Sequence, residues 1–206
     1  MERRRALKNI GAGTFSIFAG TALFSSLQSC SRPNLDWKPF FFTVEEAVQM
    51  EKICEAIMPK SDTPGATDAA VVSHLDTSID VMDSPKEKLY FKEGLRVFVD
   101  RFYDNMKISF DKAAVNQVAQ GINGYLRGMK RNPHLFNTYM NDLKIDGPKD
   151  RGFYEIHFVY TVVNATIWSY LTSELIGEQV MAYDPVPGVY DGCAPLVDGQ
   201  LAWSYL

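Results

Sequence analysis

The residues able to do chemistry in this chain are few and far apart. His74, His134 and His157 could ligate a metal or move a proton, but no two stand four apart as an H-x-x-x-H pair, so a zinc or haem site is not expected. Asp76, Asp80 and Asp83 fall four and three residues apart on one helix face; such a cluster could bind a metal, and the reading adopted is a solvated face. Glu155 and Glu174 could share acid–base work only across a common cleft, and nineteen helical residues would hold them on the order of 28 Å apart. No C-x-x-C-H, no G-x-G-x-x-G after a strand and no G-x-S-x-G elbow occurs. His157, on an apolar helix, reads as a hydrogen-bonded core histidine. No catalytic residue, metal ligand or cofactor site is assigned to this chain.

Two loops carry more shape than chemistry. In Pro59-Lys60-Ser61-Asp62-Thr63-Pro64-Gly65-Ala66, Pro64 fixes a torsion and Gly65 permits positive φ. Ser61 or Asp62 can bond nearby N–H groups, so the stretch predicts a rigid structural turn. The second runs from Ala182 through Tyr183, Asp184, Pro185, Pro187, Gly188, Tyr190, Asp191 and Gly192 to Cys193, with Pro195 beyond. It is too proline-rich for a helix and too aromatic for a free linker, and a segment of this kind is ordered by lying on a surface, its own or a second protein's.

The elements that must position these loops read as helices. Thr43 and Glu46 form a capping box ahead of a stripe through Val44, Ala47, Val48, Ile53, Ala56 and Ile57, ended by Pro59. A second helix spans about 68–82, with Val71, Val72, Leu75, Ile79 and Met82 inward. Ser84 and Pro85 open a third, through Leu89, Phe91, Leu95, Val97, Phe98 and Phe102. A fourth covers 109–129, weakened by Gly121, Gly124 and Gly128, which either admit a second helix closely or loosen the local structure. A short helix spans 133–143, and the longest spans about 150–175. Eighteen uncharged residues separate Glu155 from Glu174, but His157, Thr161, Asn164, Thr166, Ser169 and Thr172 make this the central helix of a bundle rather than a membrane span. Alternating apolar residues persist nowhere. The expectation is an all-α, irregular bundle of five to six helices with an extended Pro/Tyr-rich C-terminal tail.

The first thirty residues have another purpose. Arg3, Arg4 and Arg5 precede Leu7 and Lys8, then a mildly apolar run from Asn9 to Ser29 ends at Cys30. The order R-R-x-x-L-K resembles a twin-arginine export signal, and Leu27-Gln28-Ser29-Cys30 resembles a lipobox that would leave Cys30 lipidated. An uncleaved signal anchor is the alternative. Domains are therefore read as a signal at 1–29, a linker at 30–42 and one domain at 43–206, with the product attached to a bacterial membrane in the periplasm. Residues 1–29 carry four bases and one acid, so the chain from Cys30 on has a formal charge of −7 where the whole has −4. That acidity disfavours nucleic acid. Cys54 and Cys193 could pair with each other, one could bridge to another chain, or either could be a buried thiol.

These features together resemble the gluconate 2-dehydrogenase subunit 3 family. The resemblance rests on the leader, on Ile57-Met58-Pro59-Lys60-Ser61-Asp62-Thr63-Pro64-Gly65-Ala66, on Thr172-Ser173-Glu174 with Gly177, and on Gly188-Val189-Tyr190-Asp191-Gly192-Cys193. It implies a subunit with no redox centre, bound to a large FAD-holding subunit of the glucose-methanol-choline oxidoreductase type, with a cytochrome c subunit as a further partner. The small subunit would escort the large one through the twin-arginine pore. Tyr183, Pro187, Gly188, Tyr190, Gly192 and Cys193 would then face the partner, Cys193 within reach of a partner cysteine. The rival readings are a periplasmic helical lipoprotein with a ligand pocket lined by Phe158, Tyr160, Trp168 and Tyr170, and an enzyme using Glu155 and His157.

Overall fold

A computed structural model describes residues 35–82, 84–143, 147, 149–182, 193, 195 and 198–202. The chain divides into two compact units, Met1–Asp36 and Trp37–Leu206, and the described residues fall almost wholly in the second. The leader residues Arg3, Arg4, Leu7, Lys8 and Cys30, and the tail residues Tyr183, Pro187, Gly188, Tyr190 and Gly192, lie outside the described residues.

Seven α-helices occur among the described residues: α1 Val44–Ile57, α2 Val71–Met82, α3 Pro85–Met106, α4 Val115–Arg131, α5 Pro133–Asp142, α6 Arg151–Leu171 and α7 Glu174–Gln179, with a 3-10 turn at Phe110–Lys112. The all-α expectation holds, with one helix more than predicted. The long C-terminal helix stops at Leu171 and restarts at Glu174, because Ser173 turns extended and its hydroxyl accepts the Ile176 N–H. With that break α3, at 22 residues, is the longest helix and α6 has 21. The predicted capping box forms, Thr43 Oγ1 accepting from Glu46 N while Glu46 Oε2 accepts from Thr43 N, and at the start of α3 Ser84 with Glu87 repeats the exchange. The fourth predicted helix begins later, at Val115, after the 3-10 turn.

α6 is central. It packs on α1, α2, α3, α4, α5 and α7, most extensively on α3. The α3–α6 crossing closes tightly at Gly94, where a Cβ would lie 2.6 Å from Phe158 Cβ and 3.0 Å from the Tyr154 carbonyl oxygen. Around it Phe91, Phe98 and Phe158 are almost wholly buried and meet edge-on or tilted, Phe91 to Phe158 at 5.2 Å and Phe98 to Phe158 at 5.6 Å. Leu89, by contrast, faces solvent. Among the described residues no helix is long and apolar enough to cross a membrane.

The acidic face of α2 is not the solvated face expected. Asp76 is fully buried and its carboxylate accepts three successive backbone N–H groups, from Phe40 at 2.6 Å, Phe41 at 3.0 Å and Phe42 at 2.8 Å. Segment 40–42 is thereby tied to the bundle, and Phe42 packs 5.9 Å from Phe91. Only Asp80 behaves as a surface acid, paired with Lys88 at 3.0 Å; Asp83 lies outside the described residues.

Candidate functional site

The Pro59–Ala66 turn is braced by acids outside it. Glu55 Oε1 accepts the Lys60 N–H at 2.9 Å, and Glu55 Oε2 accepts the Thr67 N–H and hydroxyl at 3.0 and 2.9 Å. Asp68 accepts the Gly65 N–H at 3.1 Å and pairs with Lys60 at 3.0 Å; these bonds hold its carboxyl below the usual range. From α6, the Tyr170 hydroxyl donates to the Pro64 carbonyl at 2.7 Å. Gly65 is required for a reason other than the one predicted. Its φ is not positive; instead a Cβ there would come within 2.5 Å of the Glu55 carboxylate and 2.8 Å of the Lys60 nitrogen. Asp62 is exposed; of the two residues expected to brace the turn from within, Ser61 does so, its Oγ accepting the Thr63 N–H at 3.5 Å, and Glu55 and Asp68 supply the rest. The spacing of Glu55 from Thr67 gives no periodic signal, which is why sequence reasoning missed it.

The end of the chain returns to this turn. Ala182 N donates to the Ala202 carbonyl at 2.7 Å, which brings these two residues together across twenty positions of sequence. Leu201 lines one cleft of about 730 Å³ with Lys60, Ser61, Asp62, Thr63 and Pro64. Cys193 lies exposed. Cys54 is a reduced thiol sealed in the core, 3.3 Å from Thr166 Oγ1, and burial pushes its pKa up to about 12. A Cys54–Cys193 disulfide is therefore not formed in this structure.

The residues considered for catalysis do not converge. Glu155 is buried, its Oε1 taking Arg101 Nε at 2.9 Å and Arg151 Nε at 3.5 Å, whereas Glu174 is exposed in the first turn of α7. His157 is buried as expected but not hydrogen-bonded as expected. Its ring lies 5.6 Å from Phe153, nearly parallel, and Nδ1 has no partner; burial lowers its pKa, with Glu87 pulling the other way. The aromatic residues of α6 also diverge. Phe158 and Tyr170 are buried, Tyr160 is exposed against Phe136, and Trp168 is half exposed and stacked 5.3 Å from His74. They line no common pocket, which removes the geometry of the ligand-pocket reading. Among the described residues no cluster of metal-ligating side chains occurs.

The described chain is thus an all-α bundle in which the acids and histidines considered for catalysis do not converge, and in which the shaped turn and Leu201 share one cleft. A family model, gluconate 2-dehydrogenase subunit 3, matches residues 44–188, and the chain belongs to that family. The match contains the braced turn, the α6–α7 break and Gly188; Tyr190, Gly192 and Cys193 lie past its end. No curated protein and no solved structure matches the chain.

Proposed function

We propose that this chain is the non-catalytic small subunit, and the twin-arginine export escort, of a membrane-associated periplasmic dehydrogenase that oxidises a sugar or polyol. The single observation behind the reading is the family match across the whole helical bundle. In this proposal the large partner is of the glucose-methanol-choline type and holds FAD, this chain holds no cofactor, and a cytochrome c subunit accepts the electrons. The pair folds and loads flavin in the cytoplasm, then crosses on the strength of Arg3 and Arg4. A signal or a lipid on Cys30 keeps it at the inner membrane.

The geometry supports the docking half of the reading. The Pro59–Ala66 turn, one of the stretches on which the resemblance rests, lines one cleft with Leu201 near the end of the chain. A braced loop presents its backbone in one conformation, so little ordering entropy is lost when a partner settles on it. Tyr183 and Tyr190 would serve as aromatic anchors beside it, and Cys193 would bond a partner cysteine after export.

The test is co-purification. The tagged chain drawn from membranes should bring a second polypeptide and a flavin absorption spectrum. Replacing Arg3 and Arg4 together by lysine should leave both subunits in the cytoplasm. A colourless, solitary chain, or a partner that reaches the periplasm without the arginines, overturns the proposal.

A further inference from the structure

A groove of about 530 Å³ opens between α3, α4, α5 and α6, away from the turn and the chain end. Its floor is glycine. Gly121, Gly124 and Gly128 lie on α4 at i, i+3 and i+7, and a Cβ at Gly124 or Gly128 would meet nothing within 4 Å. The close-approach account holds at Gly121 alone, where a Cβ would lie 3.5 Å from the Phe102 ring of α3, and the loosening account fails, since α4 runs unbroken through all three. They leave a trench roughly 10 Å long, taking 1.5 Å per helical residue. Met106, Met129, Phe136 and Ile156 wall it with apolar and adaptable side chains. A narrow, straight trench suits a linear chain better than a broad ring system.

The polar groups gather at Arg101. Its Nε is given to Glu155, and the Tyr125 hydroxyl lies in the same group, its pKa pushed up to about 12 by burial and by the Glu155 charge. The Arg101 side chain is 42% exposed, so the guanidinium is still reached from the groove. Glu155 already stands against two guanidiniums, Arg101 and Arg151, the second also 3.8 Å from the exposed Asp104. The shared Glu155 brings one negative charge to those two guanidiniums, and the Asp104 contact is long and exposed, so Arg101 retains positive charge towards the groove. A cavity of this size, mostly apolar with a few convergent polar groups, is the usual form of a small-molecule site. We propose that the groove binds a single-chain amphiphile with an anionic head, a carboxylate of the fatty-acid type, its chain along the glycine floor and its head at Arg101.

The inference does not depend on the large subunit, and its test uses the purified full chain alone. Laurate is titrated by calorimetry, with dodecanol as the uncharged control and anionic phospholipid vesicles as a second source of negative charge. Laurate should bind at least about tenfold tighter than dodecanol, since the charge-assisted bond to Arg101 is lost in the alcohol. Arg101→Gln should abolish that difference. Gly124→Leu fills the trench and replaces a glycine by a strong helix former, so it should remove binding of both probes while raising the melting midpoint. Unchanged laurate affinity in Gly124→Leu, equal affinity for laurate and dodecanol, or binding to vesicles with none to laurate, overturns the proposal. So does loss of a co-purifying flavoprotein in Gly124→Leu when laurate never binds the wild type, which would make the groove a protein-docking surface.

Discussion

Asp76 accepts the backbone N–H of Phe42 across thirty-four residues of sequence, at 2.8 Å and out of contact with water. With Phe40 and Phe41 bonded to the same carboxylate, one side chain fixes where the chain enters the bundle. Asp76→Ala strands three donors, of which those of Phe41 and Phe42 have least access to water. The expected cost is about 3 kcal/mol, since a buried donor left without an acceptor loses on the order of 1–3 kcal/mol. Urea unfolding measures it, and Asp80→Ala, removing only a surface pair, should move the midpoint little.

The α3–α6 contact makes an opposite prediction for two glycines. Gly94→Ala forces a methyl against Phe158 Cβ and the Tyr154 carbonyl, neither of them the far end of a flexible side chain. Overpacking of this kind costs roughly 1–3 kcal/mol. Gly128→Ala meets open space and should stabilise by about 1 kcal/mol through helix propensity. Thermal melts of the two variants should therefore move in opposite directions.

His157 sets an acid limb. Burial lowers its folded pKa below the ordinary 6.5, so the neutral ring favours the folded state. Its contribution is complete above pH 6.5 and is lost as pH falls from there through the lowered folded value. His157→Phe keeps the stack on Phe153 and removes the unpartnered Nδ1. Unfolding measured across that range should show a shallower loss in the variant, with equal or greater stability at neutral pH.

Cys54 sets an alkaline limb. Its pKa rises from 9.0 to about 12 on folding, so its contribution is whole below pH 9 and disappears as pH climbs towards 12. The slope should approach 1.4 kcal/mol per pH unit for this one proton, and Cys54→Ala should flatten it. Tyr125, raised from 10.0 to about 12, leaves a residual slope from pH 10 upward. In the folded chain Cys54 should resist thiol reagents until denaturant is added.

Local rules carried much of this fold. Thr43, Ser84 and Pro85 announce helix starts because caps act within three residues, and the uncharged run of α6 announces its central place. The break at Thr172 was also written in the chain, as the Ser173-Glu174 start of α7, but continuing apolar periodicity outweighed it. Long-range bonds were not legible. Asp76 sits among other acids at a spacing that suits a wet surface, and only the return of Phe40–Phe42 makes it interior. The pairing of Arg101 with Glu155, fifty-four residues apart, is set by the α3–α6 crossing and has no local signature. Glu55 beneath the turn is missed for the same reason.

The bond from Ala182 to Ala202 gives the molecule a detachable part. Ala182 and Ala202 stand side by side, so the two ends of the stretch between them share one point of attachment. A change in the number of residues between two adjoining ends leaves the distance that the helices must span unaltered. Excising residues 184–200 and rejoining the ends with a short glycine turn should leave the melting curve of the bundle nearly where it was, and any change would be confined to what the protein holds.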